Sequence, residues 1–340
     1  MTSLQNLRDW LASCPEASLA PAPATRWPIG LECLLPESSY PKGQVSEVTA
    51  VQSIWSRPYH SPSCPSLEQS PLFWKSRLAA LCCWSYSAVQ LARFHRKVEF
   101  FGDSESVRLA ERLELPYTSF KDSLNGLEAH DPRMWSTGKL LAFKHAPAPF
   151  IHVDWDVILF QPLPGRVQQA AYSCQCADPL WQKDNRLSVA YARTALEVLE
   201  HQSLPVLPGL LDLSQSHNFG IFGCQDSGEL REWCSNILLG LWSNAQTDSF
   251  SRLPHSSYSI LFWEQWLISY MVKEAGKGFE CLFADDARRF EAASLGYTHF
   301  ISTAKHNPVA VQFLLDRFAA RHPARYEHCL RLDRDLPVNS

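Results

Sequence analysis

Asp154 and Asp156 stand two residues apart at the end of the apolar run Phe150–Val153, in the stretch PFIHVDWDVILFQPLP that begins at Pro149. On an extended chain, side chains at i and i+2 share a face, so two acids at this spacing can turn toward one cation. Hard divalent ions such as Mg2+ and Mn2+ take oxygen ligands, commonly one or two carboxylates together with substrate phosphates. A pair of solvated acids at a strand end satisfies the same pattern, so other residues must decide. Lys139 in WSTGK, Asn218 and Gly220 in HNFGIFG, Glu264-Gln265 in SILFWEQWLISYM, and His299 with Lys305 in YTHFISTAKHNP are the further groups with chemistry to offer. An asparagine can donate to and accept from sugar hydroxyls, and a glycine beside it permits close backbone approach. Glu264 lies in an apolar helix-like run, where an unpaired carboxylate would be costly to bury.

The elements that must position these residues can be read from hydrophobic period. Val45–Trp55 reads as a first strand. The apolar residues Leu78, Leu81, Cys82, Val89 and Ala92 of the segment Phe73–Phe94 fall on one helical face. Val98–Phe101 reads as a short buried strand, and Gly102–Glu105 as the turn opening a helix over Ser106–Leu113. Strand and helix alternating as far as the Asp154 strand imply a parallel sheet wound by crossover helices. Ligands of such sheets bind at the strand C-terminal ends, which puts Asp103 and the Asp154/Asp156 pair on one edge. Residues 1–45, rich in Pro, Ala and Ser, read as a loosely packed lead-in, and Ser61–Pro71 as a loop.

Composition excludes several classes. The chain has 340 residues, 46% hydrophobic and 19% charged, with twelve tryptophans, which is globular rather than disordered. Its 31 basic and 35 acidic residues, a formal charge of −4, lack the bulk positive field of a dedicated nucleic-acid binder. Eleven cysteines without a C-x-x-C pair fit a reduced intracellular protein, and a cytoplasmic location is expected. A zinc site on Cys174 and Cys176 rests on C-x-C alone, which is weak. No secretory leader is apparent, and no run reaches the roughly 18 apolar residues of a membrane span; Tyr258–Val272 carries Glu264 and Gln265 at its centre.

Taken together, these segments resemble the GT-A class of nucleotide-sugar glycosyltransferases, over roughly residues 46–310, and within it the glycogenin-like retaining enzymes and uncharacterised bacterial relatives with an hxDxDhhhxxPh strand. The resemblance implies a GT-A-like three-layer α/β/α fold with a mainly parallel central sheet. It implies a single catalytic domain over 46–310, with a nucleotide-binding half at 46–160 and a sugar and acceptor half at 161–310, then a helical tail at 311–340. Asp154, Asp156 and His299 would bind Mn2+ or Mg2+. Asp103, Lys139, Asn218 and Lys305 would bind a nucleoside-diphosphate sugar, with a UDP-sugar favoured. Glu264 and Gln265 would stand at the reacting face, as general base in an inverting enzyme or beside the anomeric carbon in a retaining one. Retention is expected, and the acceptor is left open among glycans, proteins and small molecules. Trp155, Trp181, Trp263 and Trp266 are candidate stacking surfaces. Ser302 replaces a family glycine, and His306 is a competing ligand. Two rivals remain: a non-catalytic sugar- or nucleotide-binding protein on this fold, and a metal-dependent phosphohydrolase.

Overall fold

The computed structural model describes residues 4–14, 45–60, 67, 72–132, 134–183, 186–201, 209–245, 261–284, 292 and 294–335. Most of the Pro/Ala-rich lead-in, the Ser61–Pro71 loop apart from Leu67, and residues 202–208 lie outside the described residues.

Nine strands are described: β1 (Thr49–Ile54), β2 (Val98–Gly102), β3 (Ser119–Lys121), β4 (Phe150–Val153), β5 (Val157–Leu159), β6 (Tyr172–Pro179), β7 (Gln215–Cys224), β8 (Phe279–Cys281) and β9 (Tyr297–His299). Seven of them form one sheet in the order β3-β2-β1-β4-β7-β6-β8. Strands β1 to β4 run parallel, β7 runs antiparallel to both β4 and β6, and β8 is parallel to β6. Six strands thus share one direction. Alternate residues of β1 feed two separate cores, Ala50 and Ile54 on one face and Val51 and Trp55 on the other. Helices cover both faces, so the chain has the expected three-layer α/β/α architecture around a mainly parallel sheet.

The first core is built around the helix Arg77–Phe94, whose start is capped by the Ser76 side chain accepting from the Ala79 amide at 3.2 Å. Its residues are buried almost all round, as the one-sided reading did not anticipate. Two C-terminal helices, Pro308–Arg321 and Pro323–Asp335, contribute Leu314, Phe318, Cys329 and Leu332 to this same core, so they are packed elements of the body. The second core gathers the helices Thr137–His145 and Gly228–Ala245 with the segment Phe262–Glu274. One stretch of the lead-in differs from expectation: Leu4–Ala12 is a helix that buries Leu7 in the second core and sets Trp10 edge-on to Trp181 at 5.6 Å. The apolar side chains Leu4, Leu7 and Leu11 are spaced to share one helical face, and that face finds a partner.

Outside the main sheet, β5 and β9 pair antiparallel, with Val157 opposite His299. This small ribbon positions the site. Among the described residues no helix is long and apolar enough to cross a membrane.

Candidate active site

The paired acids do not sit on a strand. Strand β4 ends at Val153, and Asp154–Asp156 form a tight turn closed by the Val157 amide donating to the Asp154 carbonyl at 2.9 Å. The Asp154 amide donates in turn to the Gly220 carbonyl at 2.9 Å, and the Gln52 side chain reaches the Asp154 carbonyl at 3.4 Å. The acids converge because the backbone folds back, not because of strand alternation. Leaving that turn, the chain enters β5, whose pairing with β9 sets His299 beside Asp156, and the Phe300 amide donates to the Asp156 carbonyl at 3.0 Å.

One ligand atom from each of Asp154, Asp156 and His299 lies within 4.8 Å of the others. His299 Nε2 is 3.4 Å from Asp156 Oδ1, and Lys305 Nζ is 2.7 Å from Asp156 Oδ2. Lys305 also stands 5.2 Å over the Trp155 ring, a cation–π arrangement. The His299 ring is fixed from behind: its Nδ1 lies 2.7 Å from Gln175 Oε1, an acceptor that also takes the Tyr297 hydroxyl. A proton on Nδ1, donated to that oxygen, would leave Nε2 for a metal ion, the arrangement usual for a metal-ligating histidine. Gln175 is fully buried on β6 and was not singled out from the sequence. Its only signal there is a polar residue between two cysteines in an otherwise apolar run.

Lys139 stands on the other side of the acids. Its Nζ is 2.8 Å from Asp154 Oδ1 and 2.9 Å from Glu264 Oε1, and it donates to the Phe219 carbonyl at 3.2 Å. Lys139 reaches this position from the helix Thr137–His145, packed between β1 and the Gly228–Ala245 helix. Gly138 lies where an added Cβ would meet the Trp55 side chain at 2.8 Å, so the helix approaches β1 closely. Glu264 comes from a π-helical turn, Phe262–Trp266, and is fully buried. Single π turns widen a helix locally and recur at functional sites. The second Glu264 oxygen, Oε2, has no hydrogen-bond partner among the described residues. Gln265 beside it is 5% exposed. The pair therefore faces inward.

Charge in this cluster is divided unevenly. Burial pushes the Asp154 carboxyl up to about 6, with Lys139 working against the rise and Asp156 adding to it. Burial pushes Asp156 up as well, but Lys305 and His299 outweigh it and hold that carboxyl well below the usual carboxylate range. Lys139 loses solvation by burial, yet Asp154 and Glu264 hold its ammonium above the ordinary lysine value. His152, between these groups, is kept neutral by burial and by Lys139. Three acids thus meet two lysines, a formal deficit of one positive charge that a divalent cation would more than cover.

The residues fit such a cation. Two carboxylates and one oriented imidazole form a mixed oxygen and nitrogen set, and Mn2+ tolerates an imidazole among oxygens better than Mg2+ does. Asn218 starts the part of β7 that borders Asp154, and its Oδ1 accepts from the Gly220 amide at 3.0 Å, an Asx turn that leaves its amide nitrogen to other partners. Gly220 is needed for packing: a Cβ there would collide with Gln175 Oε1 and come within 2.7 Å of the His299 ring.

Other groups stand around the site. Asp103 caps the helix Ser104–Arg112 in a reciprocal box with Ser106, and its second oxygen accepts from the Ser56 amide at 2.8 Å and the Ser56 hydroxyl at 2.6 Å. Its oxygens clasp the ends of β1 and β2. Ser53 at the end of β1 is tied to His152 Nε2 at 2.9 Å. Trp263 and Trp266 are core residues, 1% and 0% exposed, and Trp155 is 6% exposed, so none of the three offers an open stacking face. Trp181 is partly exposed but is held by Trp10 and Trp266. His306 and Lys305 share the 3-10 turn Ser302–His306 after β9, and among the described residues only Lys305 of the two reaches an acid of the site.

A model described as a family of unknown function, DUF6734, matches residues 48–332. No curated protein matches the chain. Two solved structures are similar at 12% identity: mouse xyloside xylosyltransferase 1 in its apo form, TM-score 0.35, covering 69% of this chain and 85% of that one, and the galactosyltransferase LgtC in complex with donor and acceptor sugar analogues, TM-score 0.38, covering 85% of this chain and 96% of that one. Likeness at this level assigns no residue of the site.

Proposed function

This chain belongs to the DUF6734 family, and we propose that it transfers a sugar from a nucleoside-diphosphate sugar to an acceptor in a metal-dependent reaction. The observation that carries the reading is the meeting of Asp154, Asp156 and His299, with ligand atoms within 4.8 Å, next to a lysine from the same distal segment. These residues are drawn from positions nearly 150 apart in the chain, and a solvated acid pair would need none of that convergence.

Asp154, Asp156 and His299 would hold Mn2+ or Mg2+. When bound, that ion would neutralise diphosphate charge as the nucleotide leaves. Lys305, 13% exposed and anchored on Asp156, supplies a positive group that can shift to the diphosphate as negative charge grows there. Asn218, through its amide nitrogen, orients the sugar at the edge where β7 borders Asp154. Lys139 keeps Glu264 and Asp154 at fixed separation, and Glu264 Oε2, buried and without a hydrogen-bond partner among the described residues, is suited to meet a hydroxyl of the sugar or acceptor. In a retaining reaction Gln265 would stand beside the anomeric carbon; in an inverting one Glu264 would take the acceptor proton. The reading favours retention and a uridine nucleotide, on the resemblance of the H-F-x-x-x-x-K segment at His299–Lys305.

The test is donor turnover. The purified chain is incubated with a panel of UDP-, GDP- and CMP-sugars and Mn2+, and free nucleotide is measured. Release from at least one donor, lost in Asp156→Asn, is expected. Absence of release from every donor together with absence of metal-dependent nucleotide binding would overturn the reading. Tight metal-dependent binding without turnover would favour a non-catalytic nucleotide-binding protein.

A further inference from the structure

A second group of ligand-type side chains shares no residue with the acid site. Cys174 on β6 and Cys281 on β8 are direct partners in the parallel register, and their sulfurs lie 3.4 Å apart. His217, on the neighbouring strand β7, brings a ring nitrogen to within 4.8 Å of both sulfurs. Cys174 is fully buried, His217 is 7% exposed, and Cys281 is partly exposed. The cluster thus has a dry interior and a route in from solvent.

The chemistry of the three groups is specific. A zinc–sulfur bond of about 2.3 Å and a zinc–nitrogen bond of about 2.0 Å, set tetrahedrally, separate the ligand atoms by roughly 3.5–3.8 Å. The sulfurs already sit within a few tenths of that spacing. Burial lowers His217 to about 4, so the imidazole is neutral and carries a free-electron pair at neutral pH. Its ring is held on two sides, Nδ1 lying 3.0 Å from Ser269 Oγ and Nε2 3.3 Å from the Gln215 amide nitrogen; whichever nitrogen turns to the sulfurs, the other keeps an anchor. The Phe279 ring packs against it at 4.2 Å, tilted by 31°. The hydrogen bond from Cys174 lowers the Cys281 thiol, while burial pushes Cys174 well up. Asp178 acts electrostatically on both thiols, and Arg166 on Cys281. A cation between the sulfurs would relieve the crowding of negative charge.

We propose that Cys174, His217 and Cys281 form a site for Zn2+ that pins together β6, β7 and β8, with the fourth position taken by water. Binding replaces one proton on each thiol, so two protons leave as one divalent ion enters and the net charge is unchanged. A Cys174–Cys281 disulfide would instead need an oxidant and would leave the imidazole without a part. The ligand set differs in kind from the acid site: thiolates select a soft or borderline ion, whereas Asp154, Asp156 and His299 suit a hard one.

The full-length chain, reduced and stripped with chelator, is titrated with Co2+ and then Zn2+. One equivalent of Co2+ should give the near-ultraviolet thiolate-to-cobalt charge-transfer band, which Zn2+ should displace. Cys281→Ser, at the partly exposed position, should abolish the band, and His217→Gln should weaken Co2+ binding at least tenfold. Asp156→Asn should leave the band intact. In alkylation mapped by mass spectrometry, Zn2+ should protect Cys174 and Cys281 above the other cysteines. Failure of the wild-type chain to give the band, or its survival in Cys281→Ser, would overturn the proposal. Because the band reports sulfur ligands only, it stands or falls independently of donor turnover.

Discussion

Lys139 is the residue on which the charge balance of the acid site turns. It is 7% exposed and within 3 Å of both Asp154 and Glu264. Replacing it with methionine would leave two acids facing each other in a poorly solvated space, and removing one partner of a buried ion pair costs on the order of 3 kcal/mol or more. Lys139→Met is therefore expected to unfold at clearly lower urea than wild type. Lys139→Met/Glu264→Leu should recover part of the loss, because the fully buried acid is gone. An equal or greater loss in the double variant would show that the ion pair is not what the lysine stabilises. The sequence marked both residues as site candidates but not as partners: Lys139 sits on a helix and Glu264 on a π turn 125 positions later, and nothing in either local pattern encodes their meeting.

At the level of elements, the decisive contact is the close passage of β7 under the β6–β9 hydrogen bonds that orient His299. Gly220→Ala would drive a methyl group into Gln175 and to within 2.7 Å of the His299 ring. The ring must rotate, so Mn2+ affinity should fall about tenfold or more, in line with the loss of a ligand's supporting partner. Gly223→Ala, further along the same strand, collides with Ser173 and approaches Ile151 at 3.3 Å without touching the ring. It should lower stability but leave Mn2+ affinity near wild type, which calorimetric titration of the folded variants would check. The strands and helices up to Asp156 were legible because their hydrophobic periods are local. Val98–Gly102 and the helix after Asp103 fell within a residue or two of expectation. The Asp154–Asp156 turn was read as strand because a turn closed by backbone bonds leaves no mark on side-chain pattern, and the buried Gln175 was missed because its meaning depends on a ring 124 residues away.

For the whole molecule, acid sensitivity follows from buried neutral histidines. His95 is 2% exposed, its Nδ1 donates to the Val48 carbonyl at 2.9 Å, and burial lowers it below the ordinary histidine value. In the unfolded chain the same ring titrates near 6.5. Between its folded value and about 6.5 the unfolded state binds the extra proton, so stability rises with pH in that window and is lost as pH falls through it. The urea midpoint should drop between pH 7 and pH 5, and His95→Asn should flatten part of that slope. An unchanged slope would remove His95 from the account.

The β5–β9 ribbon adds a consequence for biosynthesis. Strands β1 to β4 come off the ribosome well before residues 297–305, so a cation held by Asp154, Asp156 and His299 could find this full set of ligands only when residues 297–305 have emerged and docked. A nascent or prematurely terminated product would carry the acids without their histidine, and manganese affinity would thus serve as a report on whether β9 had been made and docked.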